Sequence, residues 1–349
     1  MSLNIGDPAP WFMAPTEENP QFNFSTLAGR WLGLVFAPDG PTAEGLARVI
    51  NLQKDLIESQ AAVFGVVKTH VGHASLGPRW FFDPSGGLAK LYGVQGSGWL
   101  ILDPQLRVYD RGQIEDVGAL VRRLAEMPAP AAHAGVELSA PVLILPRVFE
   151  PEYCRELINF YNHVGGTESG FMREVDGKTK LLTDPRHKQR KDVILEDEGM
   201  QAVVREKLNR RLVPEIRKAF QFQATRIERY LVASYVAGAG WFRPHRDNTT
   251  KGTAHRKFAV TINLNADEYE GGELRFPEFG NRLYKPPTGG AVVFSCSLMH
   301  EARPVTRGER FAFLPFLYDE QGAKIREQNL KFVELPDSPS NPPKVAEGV

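Results

Sequence analysis

Three residues in the C-terminal half have the types and spacing to hold a metal. In Trp241-Phe242-Arg243-Pro244-His245-Arg246-Asp247, a single residue separates an imidazole from a carboxylate. Side chains alternate on an extended backbone, so His245 and Asp247 leave it on the same side. A second imidazole, His300, follows the apolar run Ala291-Val292-Val293-Phe294. Two imidazoles and one carboxylate on one face of a divalent metal leave the opposite face open, a donor set suited to Fe(II) and oxygen chemistry. Ten residues beyond His300, Arg310 offers a permanently charged fork that can clamp a carboxylate through two parallel N–H bonds. A lone His-x-Asp is a weak signal, and solvated loop histidines with a surface arginine are the alternative. The ordered set argues against it.

These residues need strands to hold them. Apolar and alternating runs separated by Gly, Pro and Asn predict strands over 227–236, 258–264, 273–276, 291–295 and 311–318. Ahead of them a strand is predicted over 142–145 and a helix over 151–163, with Pro151 in its first turn and Tyr153, Leu157, Ile158 and Tyr161 as its apolar stripe. Cys154, inside that helix, reads as a small core side chain. A helix over 197–220 should face the core with Val203, Leu208, Leu212 and Ile216, bent or divided at Pro214. Between them, residues 173–191 hold seven Lys/Arg against three Asp/Glu and are expected to form a solvated loop. The functional alternative is a lid in which Arg186, Lys188 or Arg190 draws in an anionic substrate. His255 is expected to be a bystander.

Here the chain resembles the prolyl-4-hydroxylase-like branch of the 2-oxoglutarate- and Fe(II)-dependent oxygenases. The matching pieces are His245-x-Asp247, His300 with Arg310, Tyr235 ahead of the first His, Glu270-Gly271-Gly272-Glu273-Leu274, and Gly289-Gly290-Ala291-Val292-Val293-Phe294. The resemblance covers residues from about 140 to about 335 and implies a double-stranded β-helix (jelly roll) of two facing sheets with supporting helices. It implies that His245, Asp247 and His300 hold Fe(II), leaving positions for 2-oxoglutarate and O2, with ascorbate a candidate reductant. Arg310 would pair with the distal carboxylate of 2-oxoglutarate. Tyr235 would point into the cosubstrate pocket, with core packing as its rival role. Asn263 stands where the family often has a tyrosine that bonds the cosubstrate. The implied reaction is hydroxylation of an unactivated C–H bond, with succinate and CO2 as coproducts, on a prolyl residue of a protein or peptide or on a small molecule such as an amino acid.

Residues 1–130 alternate strand-like and helix-like segments, which suggests an α/β layer. Strands are predicted over 31–36, 63–67 and 80–82, a hairpin over 99–109, and helices over 42–59 and 116–127. This region is similar to the peroxiredoxin branch of the thioredoxin fold through Ile5-Gly6-Asp7-Pro8-Ala9-Pro10, Phe24-Ser25-Thr26-Leu27-Ala28-Gly29-Arg30-Trp31, Asp83-Pro84-Ser85-Gly86-Gly87-Leu88 and Leu100-Ile101-Leu102-Asp103-Pro104. Where that family carries its peroxide-attacking Cys, the chain reads Phe36-Ala37-Pro38-Asp39-Gly40-Pro41-Thr42-Ala43-Glu44. Without a thiolate, peroxidase chemistry is excluded. The implied role is an interface, such as a homodimer, or help in presenting substrate. His70 and His73 read as loop residues, and 93–98 as a turn. The expected organisation is α+β multidomain: a thioredoxin-like unit over 1–130, a linker over 131–140, the oxygenase unit over 141–335 and a disordered tail over 336–349.

The 349 residues carry 42 basic and 42 acidic side chains, so no charge excess points to nucleic acid or to a membrane surface. No apolar run is long enough to span a bilayer. Two cysteines, Cys154 and Cys296, fit a reducing compartment, and a cytoplasmic protein is expected. The competing functional reading is a non-catalytic 2-oxoglutarate sensor or scaffold that uses the redoxin-like unit for interaction.

Overall fold

A computed structural model describes residues 3–52, 56–68 and 75–334. The chain forms two compact units, one of Met1–Ala140 with Phe276–Arg282, the other of Pro141–Arg275 with Leu283–Val349. His70, His73 and the expected tail lie outside the described residues.

In the first unit five strands form one sheet in the order Trp80–Phe82, Ala61–Val67, Trp31–Ala37, Gly98–Leu102, Val108–Gly112. The first three are mutually parallel and the last two join antiparallel. Trp31–Ala37 and Ala61–Val67 are buried along their whole length, which is why both read as unbroken apolar runs. Helices Gly40–Leu52 and Val117–Glu126 contribute Ala43, Ile50, Val117, Leu120 and Leu124 to the core beneath the sheet. The first helix is described over Gly40–Leu52, and residues 58–60 form a turn where the helix is expected to run to 59. Asp39, in the segment that lacks a thiol, accepts the Thr42 backbone N–H at 2.8 Å and so caps the helix start. Residues up to Ala140, which include the expected linker, group with this unit. Pro130–Ala132 forms a 3-10 turn, and the Trp31 indole donates to the Pro128 carbonyl at 2.8 Å.

The second unit opens with strand Leu143–Leu145 and helix Pro151–Val164, whose Tyr153, Cys154, Leu157, Ile158 and Tyr161 are buried. Burial pushes the Cys154 thiol up to about 12, so it serves as a core side chain. Two helices, Glu198–Arg211 and Val213–Phe220, replace the expected single one. Pro214 lacks an N–H and would collide with the preceding turn, so the helix restarts with proline in its first turn. Leu208, Leu212 and Ile216 face the core as expected, whereas Val203 is 40% exposed and Val204 takes the inward place.

From Leu231 the chain alternates between two sheets. Leu231–Val236, Phe258–Asn263, Ala291–Ser295, Glu309–Phe313 and Phe316–Tyr318 belong to a large sheet, and Trp241–His245, Leu274–Arg275, Leu283–Tyr284 and His300–Ala302 to a smaller one. Repeated crossing between two sheets is the jelly-roll pattern. Two glycines make tight crossings possible. Gly271 (φ +74°) sits where a Cβ would strike the Pro304 carbonyl, and Gly289 (φ +75°) where one would strike that of Phe149.

The basic stretch is not a loop. Phe171–Val175 and Lys178–Leu182 form a hairpin closed by Asp176-Gly177, both with positive φ. Lys188–Gln189 then joins the smaller sheet beside Trp241–His245, and Lys191–Ile194 joins the large sheet beside Leu231–Val236. Strand pairing buries Lys188 and Arg190, while the Arg186 side chain remains 88% exposed.

Candidate metal centre and carboxylate clamp

His245 ends strand Trp241–His245, His300 begins strand His300–Ala302, and the antiparallel register sets the two directly opposite. Residues so paired have Cβ atoms about 5 Å apart, close enough to share a ligand. Asp247 is held by its backbone N–H, which donates to the Cys296 carbonyl at 3.0 Å. His245 Nδ1 donates to the Arg243 carbonyl at 2.7 Å and His300 Nδ1 to the Leu298 carbonyl at 3.0 Å. These bonds leave each Nε2 as an acceptor, and both point at the Asp247 carboxylate, at 3.5 Å and 3.3 Å.

Three acceptors therefore converge, with ligand atoms all within 4.8 Å of one another. Facing lone pairs repel unless a cation lies between them, and the donor set fits a first-row divalent metal such as Fe(II). Burial, then the neighbouring His300, pushes the His245 imidazole down to about 4, so it is neutral and able to bind metal at pH 7. Burial opposes ionisation of Asp247, but positive charge nearby, the permanent charge of Arg256 included, outweighs it and holds the carboxyl well below its ordinary range.

Arg310 lies on the large sheet, 2% exposed and directly opposite Tyr235 in the register. Its guanidinium carbon is 4.9 Å from the Tyr235 ring centre, and Nη2 donates to Asn263 Oδ1 at 3.4 Å. Asn263 is fixed in turn by donating to the Pro286 carbonyl at 2.8 Å. Arg310 Nε and Nη1 are buried without a partner, as is the Tyr269 hydroxyl. Each unsatisfied buried donor costs about 1–3 kcal/mol, and a carboxylate set against one edge of the guanidinium would lower that cost. A Cβ on Gly272 (φ +68°) would come within 2.9 Å of Arg310 Cδ, so the Gly-Gly step leaves room for the arginine stem.

Residues 230–318 match the family described as the 2OG-Fe(II) oxygenase superfamily. Apart from Phe276–Arg282 the match lies within the C-terminal unit, and it spans all six expected site residues, from Tyr235 to Arg310. Fe(II), 2-oxoglutarate and O2 are the cofactors that go with it. A PKHD-type hydroxylase of Maricaulis maris is 36% identical over 109 residues, 28% of this chain and 49% of that protein. A PKHD-type hydroxylase of Pseudomonas fluorescens is 32% identical over 127 residues, 32% of this chain and 56% of that protein. The chain spans about half the length of these curated relatives. Among solved structures it is similar to a Pseudomonas putida prolyl-4-hydroxylase, with TM-score 0.40 and 18% identity over 52% of this chain and 94% of that one. It is also similar to a Trichoplax adhaerens prolyl hydroxylase solved with a hypoxia inducible factor peptide fragment, with TM-score 0.43 and 16% identity over 54% of this chain and 87% of that one. No helix of the described residues is long and apolar enough to cross a membrane.

Three groups in the C-terminal unit differ from expectation, which made Lys188 and Arg190 solvated loop residues, or lid residues drawing in an anionic substrate, and His255 a bystander. Arg190 is buried, paired with Asp192 through two bonds of 2.6 Å, and its Nη1 donates to the Tyr235 hydroxyl at 3.4 Å. Lys188 is buried beside it. His255 is no loop bystander: it is 2% exposed and donates from Nε2 to Glu228 at 2.9 Å, where Arg256 also binds. Nothing in a linear sequence brings Glu228 to His255 and Arg256. The His-Lys-Gln-Arg-Lys-Asp run did show cations with one acid among them, and its alternation was the readable signal.

Proposed function

We propose that this chain is a 2-oxoglutarate- and Fe(II)-dependent dioxygenase that hydroxylates an unactivated C–H bond. The observation that carries the reading is the opposition of three converging acceptors, His245 Nε2, His300 Nε2 and the Asp247 carboxylate, to a buried Arg310 with two unmatched N–H groups. One cluster is suited to a cation and the other to an anion. Fe(II) bound to the triad, with 2-oxoglutarate and O2, would supply oxidative hydroxylation with succinate and CO2 as coproducts.

His245, Asp247 and His300 would then act as ligands, with the carbonyls of Arg243 and Leu298 fixing the imidazole tautomers. Arg310 would hold the distal carboxylate of the cosubstrate, Tyr235 would wall the pocket, and Asn263 would steady the guanidinium by accepting its Nη2. The substrate in this reading is a prolyl residue of a protein or peptide, or a small molecule such as an amino acid; the curated relatives' name of hydroxylase supports the reaction type. For the first unit, the sheet order and the capping Asp39 in place of a thiol support a peroxiredoxin-like thioredoxin fold that serves as an interface, with a homodimer as the expected assembly.

The test is an anaerobic titration of metal-free protein with Fe(II) and then 2-oxoglutarate, followed in the visible. A charge-transfer band that is lost in Arg310→Ala and His300→Ala is expected. Fe(II) binding without a band would remove the cosubstrate assignment, and no metal binding at all would favour the scaffold.

A further inference from the structure

Lys188 is 6% exposed and lies in strand Lys188–Gln189, paired with Phe242 on the strand that carries His245. Its Nζ donates to the Ser169 hydroxyl at 2.6 Å and to the Gly170 carbonyl at 2.5 Å, both neutral acceptors. The ammonium stands 5.0 Å from the centre of the Phe242 ring, and that ring stacks on His245 with centroids 3.4 Å apart. The cation is thus one aromatic ring away from a metal ligand. Among the described residues no carboxylate lies within ion-pair distance of it, because the nearby Asp192 is engaged by Arg190 through both oxygens.

The surrounding charge is unbalanced. The ionised groups acting most strongly on Lys188 are Arg190 and Arg229 on one side and Asp192 and Asp247 on the other. With Lys188 itself that makes three cations to two anions. Burial, then Arg190, pushes the ammonium well below the ordinary lysine range, the mark of a cation short of counter-charge. Folds rarely keep such a group unless something outside the chain completes it. Outward from Phe242 the rings continue, with His187 at 5.5 Å and Phe171 at 4.5 Å beyond it.

We propose that Lys188 anchors the substrate: it receives the carboxylate of a small organic acid whose apolar body lies along Phe242, beside the metal centre. The assignment rests on the oxygenase reading and narrows it to acid substrates with an apolar portion. Nearly full burial suits the end of a small molecule. A neutral isostere of the same acid lacks the charge and should bind poorly.

The test uses the full chain loaded without oxygen with Fe(II) and saturating 2-oxoglutarate, titrated calorimetrically with benzoate, phenylacetate and 3-phenylpropanoate, each against its amide. At least one acid is expected to bind tenfold or more tighter than its amide. Lys188→Met should lose that preference and Lys188→Arg should keep it, with Fe(II) and 2-oxoglutarate affinities unchanged in both. Retention of the charge guards against a damaged fold being read as a lost contact. Equal binding of every acid and amide by the parent, or a preference that survives Lys188→Met, overturns the proposal while leaving the oxygenase reading intact. A parent that binds neither Fe(II) nor 2-oxoglutarate brings down both.

Discussion

The Glu228–His255–Arg256 cluster and the His245–Asp247–His300 cluster use similar residue types in the same unit, yet their charges are met in different ways. Glu228 accepts from Arg256 Nε at 2.7 Å, Arg256 Nη2 at 2.6 Å and His255 Nε2 at 2.9 Å, so its carboxylate is matched within the protein, although His255 Nδ1 has no hydrogen-bond partner. At Asp247 two imidazole lone pairs converge on the carboxylate at 3.5 Å and 3.3 Å, and Arg310 Nε and Nη1 have no hydrogen-bond partner. A buried ion pair that is closed holds structure together, whereas an open cluster has a free energy to gain from a ligand. A histidine beside a carboxylate is thus no metal site by itself. The balance of donors against acceptors decides it.

The contrast breaks most visibly at Asp247. Asp247→Ala should take 2-oxoglutarate turnover to background while the metal-free protein melts no lower than its parent, because the substitution relieves facing acceptors. A marked drop in the apo melting temperature would mean that this cluster is closed after all. Glu228→Gln should do the reverse and cost about 3–5 kcal/mol in urea unfolding, since Arg256 would remain buried without its partner. A loss below about 1 kcal/mol would erase the distinction.

The same residue gives the pH sign. Although burial opposes its ionisation, Arg256 and His255 hold the Glu228 carboxyl well below its ordinary value. Its contribution is therefore complete above the unfolded pKa of about 4.3 and is lost as the pH falls through the folded one. The parent should lose stability across that acid window, and Glu228→Gln should show a flatter limb there. The smallest expected effect sharpens the clamp side: Gly272→Ala, pressed against Arg310 Cδ, should raise the KM for 2-oxoglutarate about tenfold, or about 1.4 kcal/mol, with kcat nearly unchanged.

Much of this was legible in the sequence because it depends on local period. His245 and Asp247 share a side by alternation, and Pro214 marks the helix break through its missing N–H. The buried strands of the first unit announce themselves as continuous apolar runs. What escaped depends on distant pairing. Lys188 and Arg190 look solvated in a chain rich in charge, and only the neighbouring strands Trp241–His245 and Leu231–Val236 bury them. Asp176-Gly177 was a readable hairpin signal that the density of charge masked. Val203 was placed inward, but Val204, four residues before Leu208 in the same helix, shares that residue's face and is the buried one.

One feature of the first unit bears on how the chain is made. Its compact body includes Phe276–Arg282, and Gly29 (φ +86°) leaves room against Pro277 where a side chain would collide. A ribosome releases residues 1–140 long before that piece exists. At about 5–20 residues per second, Phe276 follows Ala140 by roughly 7–27 s. During that interval the N-terminal body waits with an unfilled surface at Gly29, so its final packing cannot be finished before most of the oxygenase unit has been synthesised.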